Sequence, residues 1–229
     1  MRFHVPKPLH GWRAFAGEVG IIVIGVLLAL GAQQLVENAQ WRRKVAVVRK
    51  SLMQELGNDR GRWETNMASA PCLLEEVGEV DRWARDGGTG DASAASADLS
   101  HAGFFWMHSA NWQLATASDT MDHFPIDQQL AFATAYDGVA HRQVDIEKSA
   151  DVFERIGSLI PIADNEQGRR DLRAALGSLK ERIAALTRNN DYMERHFDAL
   201  GVRPDDRDFA AELRAPRCGR EVKHALPPS

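Results

Sequence analysis

The sequence predicts an all-α protein in which one N-terminal transmembrane helix is followed by a helical bundle domain containing a long antiparallel helix hairpin. Three observations predict it. A run near the N-terminus is apolar on every face, apolar residues elsewhere recur at spacings of three and four, and no segment alternates apolar and polar residues as a strand does. The expected organisation is a short flank over 1–13, the transmembrane helix over 14–36, a helical domain over 37–202 and an irregular tail over 203–229.

From Val19 to Ala32 no side chain is polar, but a run of that length is shorter than the roughly 20 residues a spanning helix needs. Extended to Ala14 and Val36 it reaches about 34 Å as a helix, with Glu18, Gln33 and Gln34 near its ends. Trp12 and Trp41 stand where indole rings favour the headgroup level, and Arg13 and Arg42-Arg43-Lys44 mark the aqueous flanks. The lipid bilayer is therefore the first expected partner. A cleaved signal peptide, exiting near Ala29-Leu30-Gly31, is a rival. Against it, the helical pattern continues through that site into Leu35, Trp41, Val45, Val48 and Leu52. A buried core helix is the second rival, disfavoured because such a helix carries a stripe and not an apolar surface all round. Gly25, Ala29 and Ala32 lie on one helix face and offer a packing face for self-association in lipid, although small residues are common in membrane helices anyway.

Beyond the anchor, Val45, Val48, Leu52, Leu56, Trp63 and Met67 imply a helix over about 37–68. Pro71 is expected to restart the chain, and Leu73, Leu74, Val77, Val80 and Trp83 form a second, short helix ended by Asp86-Gly87-Gly88. The small polar residues of 87–101 read as a flexible loop. Two heptad seams follow. Phe132, Tyr136, Val139, Gln143, Ile146, Ala150, Phe153, Gly157 and Ile160 predict a helix over 125–160 that opens at Pro125 and stops at Pro161. Leu172, Leu176, Leu179, Ile183, Leu186, Asn190, Met193, Phe197 and Leu200 predict another over 165–200, closed by Gly201. Their short connection predicts the antiparallel hairpin, with Gln143 and Asn190 as polar register markers facing each other or a partner.

Composition excludes several function classes. The formal net charge is −4, and without the N-terminal flank and anchor the chain keeps 25 basic against 31 acidic residues, so no nucleic-acid partner is expected. Two cysteines, Cys72 and Cys218, exclude a cysteine-rich metal scaffold and leave either free thiols or one disulfide. A disulfide would require an oxidising compartment and so a periplasmic domain. The basic residues Arg42, Arg43, Lys44, Arg49 and Lys50 after the span pull the other way, toward a cytoplasmic domain.

No phosphate loop, paired-cysteine zinc spacing, His-Glu-x-x-His helix or nucleophile elbow is present, so no metal or cofactor is expected and the chain reads as a non-enzyme. His101 and His108 lack further ligands at metal spacing. Ser118, Asp119, Asp122 and His123 are the ingredients of a nucleophilic set, but on one short stretch they fit a capped turn better. The aromatic block from Gly103 to Pro125 is the densest apolar region outside the anchor. Its Phe104, Trp106, Trp112, His123 and Phe124 read as a core cluster, with a ligand pocket as the alternative.

Two stretches carry a resemblance. Gly17, Glu18, Gly25, Ala29 and Leu30 match a Gly-Glu…Gly…Ala-Leu signature, and Trp112, Ala117, Ser118, Thr120, His123 and Phe124 match a Trp…Ala-Ser-x-Thr-x-x-His-Phe signature. Together with Cys72 and Cys218 they make the chain similar to a large group of uncharacterised bacterial proteins with a single N-terminal membrane helix and a helical soluble domain. The resemblance implies a retained anchor in the bacterial inner membrane and no particular activity. The expected role is interaction or scaffolding in the envelope, with a second copy or another envelope protein as partner. A membrane-tethered sensor of small ligands is the alternative.

Overall fold

A computed structural model of the chain describes residues 12–88, 104–188 and 190–204. All regular structure among them is helical, with no strand. The helices are α1 (Trp12–Arg85), α2 (Ala110–Thr116), α3 (Ile126–Leu159), α4 (Glu166–Arg188) and α5 (Asn190–Ala199), with 3₁₀ turns at Met121–His123 and Ile160–Ile162. The chain divides into two compact units, Met1–Val47 and Val48–Ser229.

The first unit holds the apolar stretch, which is long and apolar enough to cross a membrane and has none of its most apolar window buried within the fold. Large side chains all round it are exposed, from Ile21 at 74% to Leu28 at 69% and Leu35 at 72%. A soluble protein covers such a surface; a bilayer removes the need. Gly25, Ala29 and Ala32 are exposed as well.

The second unit has a single core. From α1 it receives Leu52, Leu56, Trp63, Ala70, Leu73, Val77 and Val80, each at 1% exposure or less. The spacings are those of one helix face. That stripe passes through Pro71 without interruption, which corrects the expected restart there and merges the two predicted helices of this region into α1. A proline inside a helix forfeits one ladder hydrogen bond and crowds the preceding turn, at a cost of about 3 kcal/mol. Here the buried residues on both sides offset it, since each fully buried aliphatic side chain contributes about 2 kcal/mol. Pro71 itself faces solvent. Just before it, Thr65 Oγ1 donates to the Gly61 carbonyl at 2.9 Å and Ser69 Oγ to the Thr65 carbonyl at 2.8 Å. Such back-bonding satisfies the hydroxyls inside the helix. The helix ends at Arg85, followed by Gly87 and Gly88 at φ of 86° and 68°, a left-handed exit that glycine takes without strain.

In α3 the first half of the predicted seam is buried at Phe132, Tyr136, Val139 and Ile146. Of the second half, only Ile160, just past the end of α3, is buried. Burial moves from Ala150, Phe153 and Gly157 to Ser149 and Ile156, and a Cβ built on Gly157 would meet nothing within 4 Å. One residue along a helix is a rotation of about 100°, so this half turns a neighbouring face to the core. The seam of α4, Leu172, Leu176, Leu179, Ile183 and Leu186, is fully buried and continues in α5 at Met193 and Phe197. The predicted helix over 165–200 thus corresponds to α4 and α5, with residue 189 between them outside the described residues. Helix α4 opens on Asn165, whose Oδ1 accepts the Gly168 N–H at 2.9 Å as an N-cap does.

Polar ties fix α1 against the later helices. Asp81 is bonded by Arg85 on its own helix and by Lys180 of α4 at 2.9 Å. Burial alone would raise the Asp81 carboxyl, but these two cations outweigh it and hold the pKa below the ordinary carboxylate value. Arg60 donates to Asp198 of α5 and to the Val202 carbonyl, both at 2.7 Å. Asn190 Oδ1 accepts the Trp63 indole N–H at 2.8 Å, while Gln143 bonds the backbone of Met107. The two seam amides therefore do not face each other: each answers a different donor of its own chain.

Candidate functional site

Among the polar residues that α1 buries with its apolar stripe are Glu55 at 8% exposure, Asp59 at 0% and Asn66 at 1%. Such burial is unfavourable unless each group finds a partner. The partners are supplied by residues 104–112, six residues without regular structure leading into the first turn of α2. An extended segment packed between helices has no ladder to satisfy its N–H groups, so side chains must do it.

They do so in register. Asn66 pairs both backbone groups of Phe105, its Oδ1 accepting the N–H at 2.6 Å and its Nδ2 donating to the carbonyl at 3.0 Å. Gln143 Oε1 of α3 accepts the Met107 N–H at 2.8 Å, and Asp59 Oδ1 accepts that of His108 at 2.9 Å. Glu55 then accepts the N–H groups of Asn111 at 2.9 Å and Trp112 at 3.3 Å. As the segment advances from Phe105 to Trp112, its partners on α1 recede from Asn66 to Glu55, so it runs antiparallel to α1.

Glu55 acts as the N-cap of α2 from another helix. The residue in the cap position, Ser109, makes no side-chain cap bond. The first amides of α2 are orphan donors at the positive end of a helix dipole, where a carboxylate is the best acceptor. Glu55 Oε2 also accepts the Tyr136 hydroxyl at 2.8 Å. Burial, then the adjacent Glu55 charge and the hydrogen bond to it, push the Tyr136 phenol well above its ordinary pKa, so it stays a donor. The Trp112 ring stacks on Tyr136 with centroids 4.9 Å apart, closing the other side of this contact.

Asp59 is the fully buried carboxyl of the three. Burial raises its pKa to about 7, against the lowering effect of the His108 N–H and of Arg62, whose Nη1 lies 3.2 Å from Oδ1. Its Oδ2 is buried with no hydrogen-bond partner. The exposed His108 imidazole is pushed below its ordinary value, by burial and then by the Arg62 charge.

The residues singled out from the sequence fall into different environments. Phe104 and Phe124 are core residues at 7% and 4% exposure, and Phe124 meets Phe132 edge to face at 6.1 Å. Trp106 is half exposed, Trp112 is stacked on Tyr136, and His123 is exposed in its 3₁₀ turn. Ser118, Asp119 and Asp122 are exposed too, and Ser118 Oγ is spent on the Ala115 carbonyl at 2.9 Å and accepts the Thr120 N–H at 3.4 Å. The Trp…Ala-Ser-x-Thr-x-x-His-Phe stretch thus builds the corner between α2 and α3. His101 and Cys218 lie outside the described residues, while Cys72 is disulfide-bonded. Among the described residues no group of three or more His, Cys, Asp or Glu is placed to hold a metal.

Sequence reading missed Glu55, Asp59 and Asn66. The signal was present, since polar residues at these spacings fall on the face of Leu52, Leu56 and Trp63 and must be buried with it. What they would bind was not. Compared with known family models, curated proteins and solved structures, the chain matches none.

Proposed function

We propose that this chain is a single-span, non-enzymatic protein of the bacterial inner membrane, whose helical domain works by binding a second copy of itself or another envelope protein. The observation that carries this reading is a set of large apolar side chains left in water on consecutive elements: Trp106 at 48% exposure, Leu114 at 72%, Ile126 at 67% and Leu130 at 62%. Single exposed apolar residues are ordinary, but several in one stretch of 25 residues are characteristic of a contact surface. The buried Glu55, Asp59 and Asn66 and the half-buried Gln143 are occupied by the protein's own backbone, which is a structural use. The motifs that liken the chain to single-span bacterial proteins agree with the same reading.

Light scattering of the detergent-solubilised protein, with crosslinking in cells, tests it. More than one protomer per particle, or a crosslinked envelope partner, is expected, with at least a tenfold weakening in a Leu114→Glu, Leu130→Glu double variant. A strict monomer with no crosslinked partner would exclude the reading.

We further infer that α3 and α4 form an antiparallel hairpin within a bundle, supported by their direct contact and by the short link from Ile160 to Asn165. For sidedness, the disulfide at Cys72 favours the periplasm, since Cys218 is the only other cysteine of the chain and such bonds persist in oxidising compartments. Maleimide labelling in intact cells and after lysis is expected to leave both cysteines unmodified until reductant is added. Thiols that react after lysis without reductant would instead place the domain in the cytoplasm.

A further inference from the structure

The segment 104–112 is held in place almost wholly by side chains, and one of its holders is a carboxyl with nowhere to put a negative charge. Asp59 is 0% exposed. Its Oδ1 receives the His108 N–H and Arg62, while Oδ2 is sealed off without a partner. A proton on Oδ2 removes the charge and leaves Oδ1 free to keep accepting the His108 N–H. Once ionised, the group is buried beside a second acidic residue one helical turn away, Glu55, and only Arg62 at 3.2 Å opposes the charge. From the other elements, the Tyr136 hydroxyl of α3 is already committed to Glu55, and the His108 imidazole of the segment is exposed and held toward its neutral form. Neither supplies the missing positive charge.

We propose that Asp59 is a proton-operated clamp on residues 104–112: protonated, it seats the segment against α1, and on ionisation it favours an opened state in which the carboxylate reaches water and the segment lifts away. What opens is the stretch carrying Trp106, so the clamp would govern how part of the exposed apolar surface is presented; in that respect alone it rests on the interaction reading, and the clamp itself does not.

The direction follows from the protonation equilibrium. Burial holds the seated carboxyl near pH 7, and in water it returns to the ordinary value of 3.8, so the opened state binds fewer protons and gains population as pH rises between the two. From pH 6 to pH 8 the opening equilibrium grows roughly tenfold, levelling off above the upper value.

Hydrogen exchange of the full-length protein in nanodiscs, followed at the His108, Asn111 and Trp112 amides and corrected for intrinsic rates, reads this directly. Protection is expected to fall about tenfold from pH 6 to pH 8, while Asp59→Asn, which keeps the Oδ1 acceptor, holds it constant over the range. An equal fall in Asp59→Asn, or no fall in the unaltered protein, would overturn the clamp. Should the variant not fold, a ¹³C titration of the Asp59 carboxyl in the unaltered protein decides the matter: a midpoint between pH 6 and 8 is expected, and one below pH 5 refutes it. Neither measurement depends on oligomeric state, so loss of the interaction reading would leave this result standing, and the converse holds.

Discussion

Replacing Glu55 by alanine is expected to lower the stability of the helical domain by about 4 kcal/mol. This one carboxylate accepts the amides of Asn111 and Trp112 and the hydroxyl of Tyr136. Truncation strands the two amides in a site that is itself 8% exposed, and leaves the Tyr136 hydroxyl only the Leu52 carbonyl at 3.2 Å. Each stranded buried donor costs about 1–3 kcal/mol, and the charge-assisted bonds to the α2 amides are the stronger kind. Thermal unfolding of the detergent-solubilised protein, followed by circular dichroism, measures the loss. Glu55→Gln keeps an acceptor for the amides but loses the charge at the helix N-terminus, so it should fall between the two. If Glu55→Ala melts like the unaltered protein, the cross-helix cap has no energetic role.

The second large effect is expected at Gly168, in the first turn of α4. A Cβ there would lie 2.2 Å from the Ile162 carbonyl oxygen and 3.0 Å from Ala163 Cα. Both are backbone atoms, so no side-chain rotation can relieve the clash, and the connection between α3 and α4 must move. Moving it also disturbs the Asn165 cap, because the Gly168 N–H is the bonded donor. Gly168→Ala should therefore cost about 3 kcal/mol, although alanine is the better helix former. Gly157→Ala is the internal control: its Cβ meets nothing within 4 Å, and helix propensity should make that variant more stable by about 1 kcal/mol. Equal effects at the two sites would show that the close approach at Gly168 does not constrain the fold.

Both cases show where sequence reading stops. The helix boundaries near Pro125, Gly87 and Gly201 follow from local chemistry, and they fall where the chain's own turn residues place them. Pro71 is a local signal as well, yet α1 passes through it, since the packing of Leu73, Val77 and Val80 outweighs the lost backbone bond. Glu55 and Asp59 resemble solvent-facing charges in any short window, and only their phase with Leu52 and Leu56 marks them as buried. Their partners lie about 50 residues away along the chain, in and just after a segment without regular structure.

For this protein the sequence by itself determined the all-helical class, the one segment apolar enough to cross a membrane, and the seam of α4 with its continuation in α5. These depend on residue-by-residue transfer energies and on the 3.6-residue period, both of which can be summed along a chain. Only the tertiary structure decided the passage through Pro71, the face that the second half of α3 buries, and the side chains that hold residues 104–112. Those depend on which distant residue stands opposite, because a buried polar group or a lost helix bond is tolerable only where another part of the chain compensates for it.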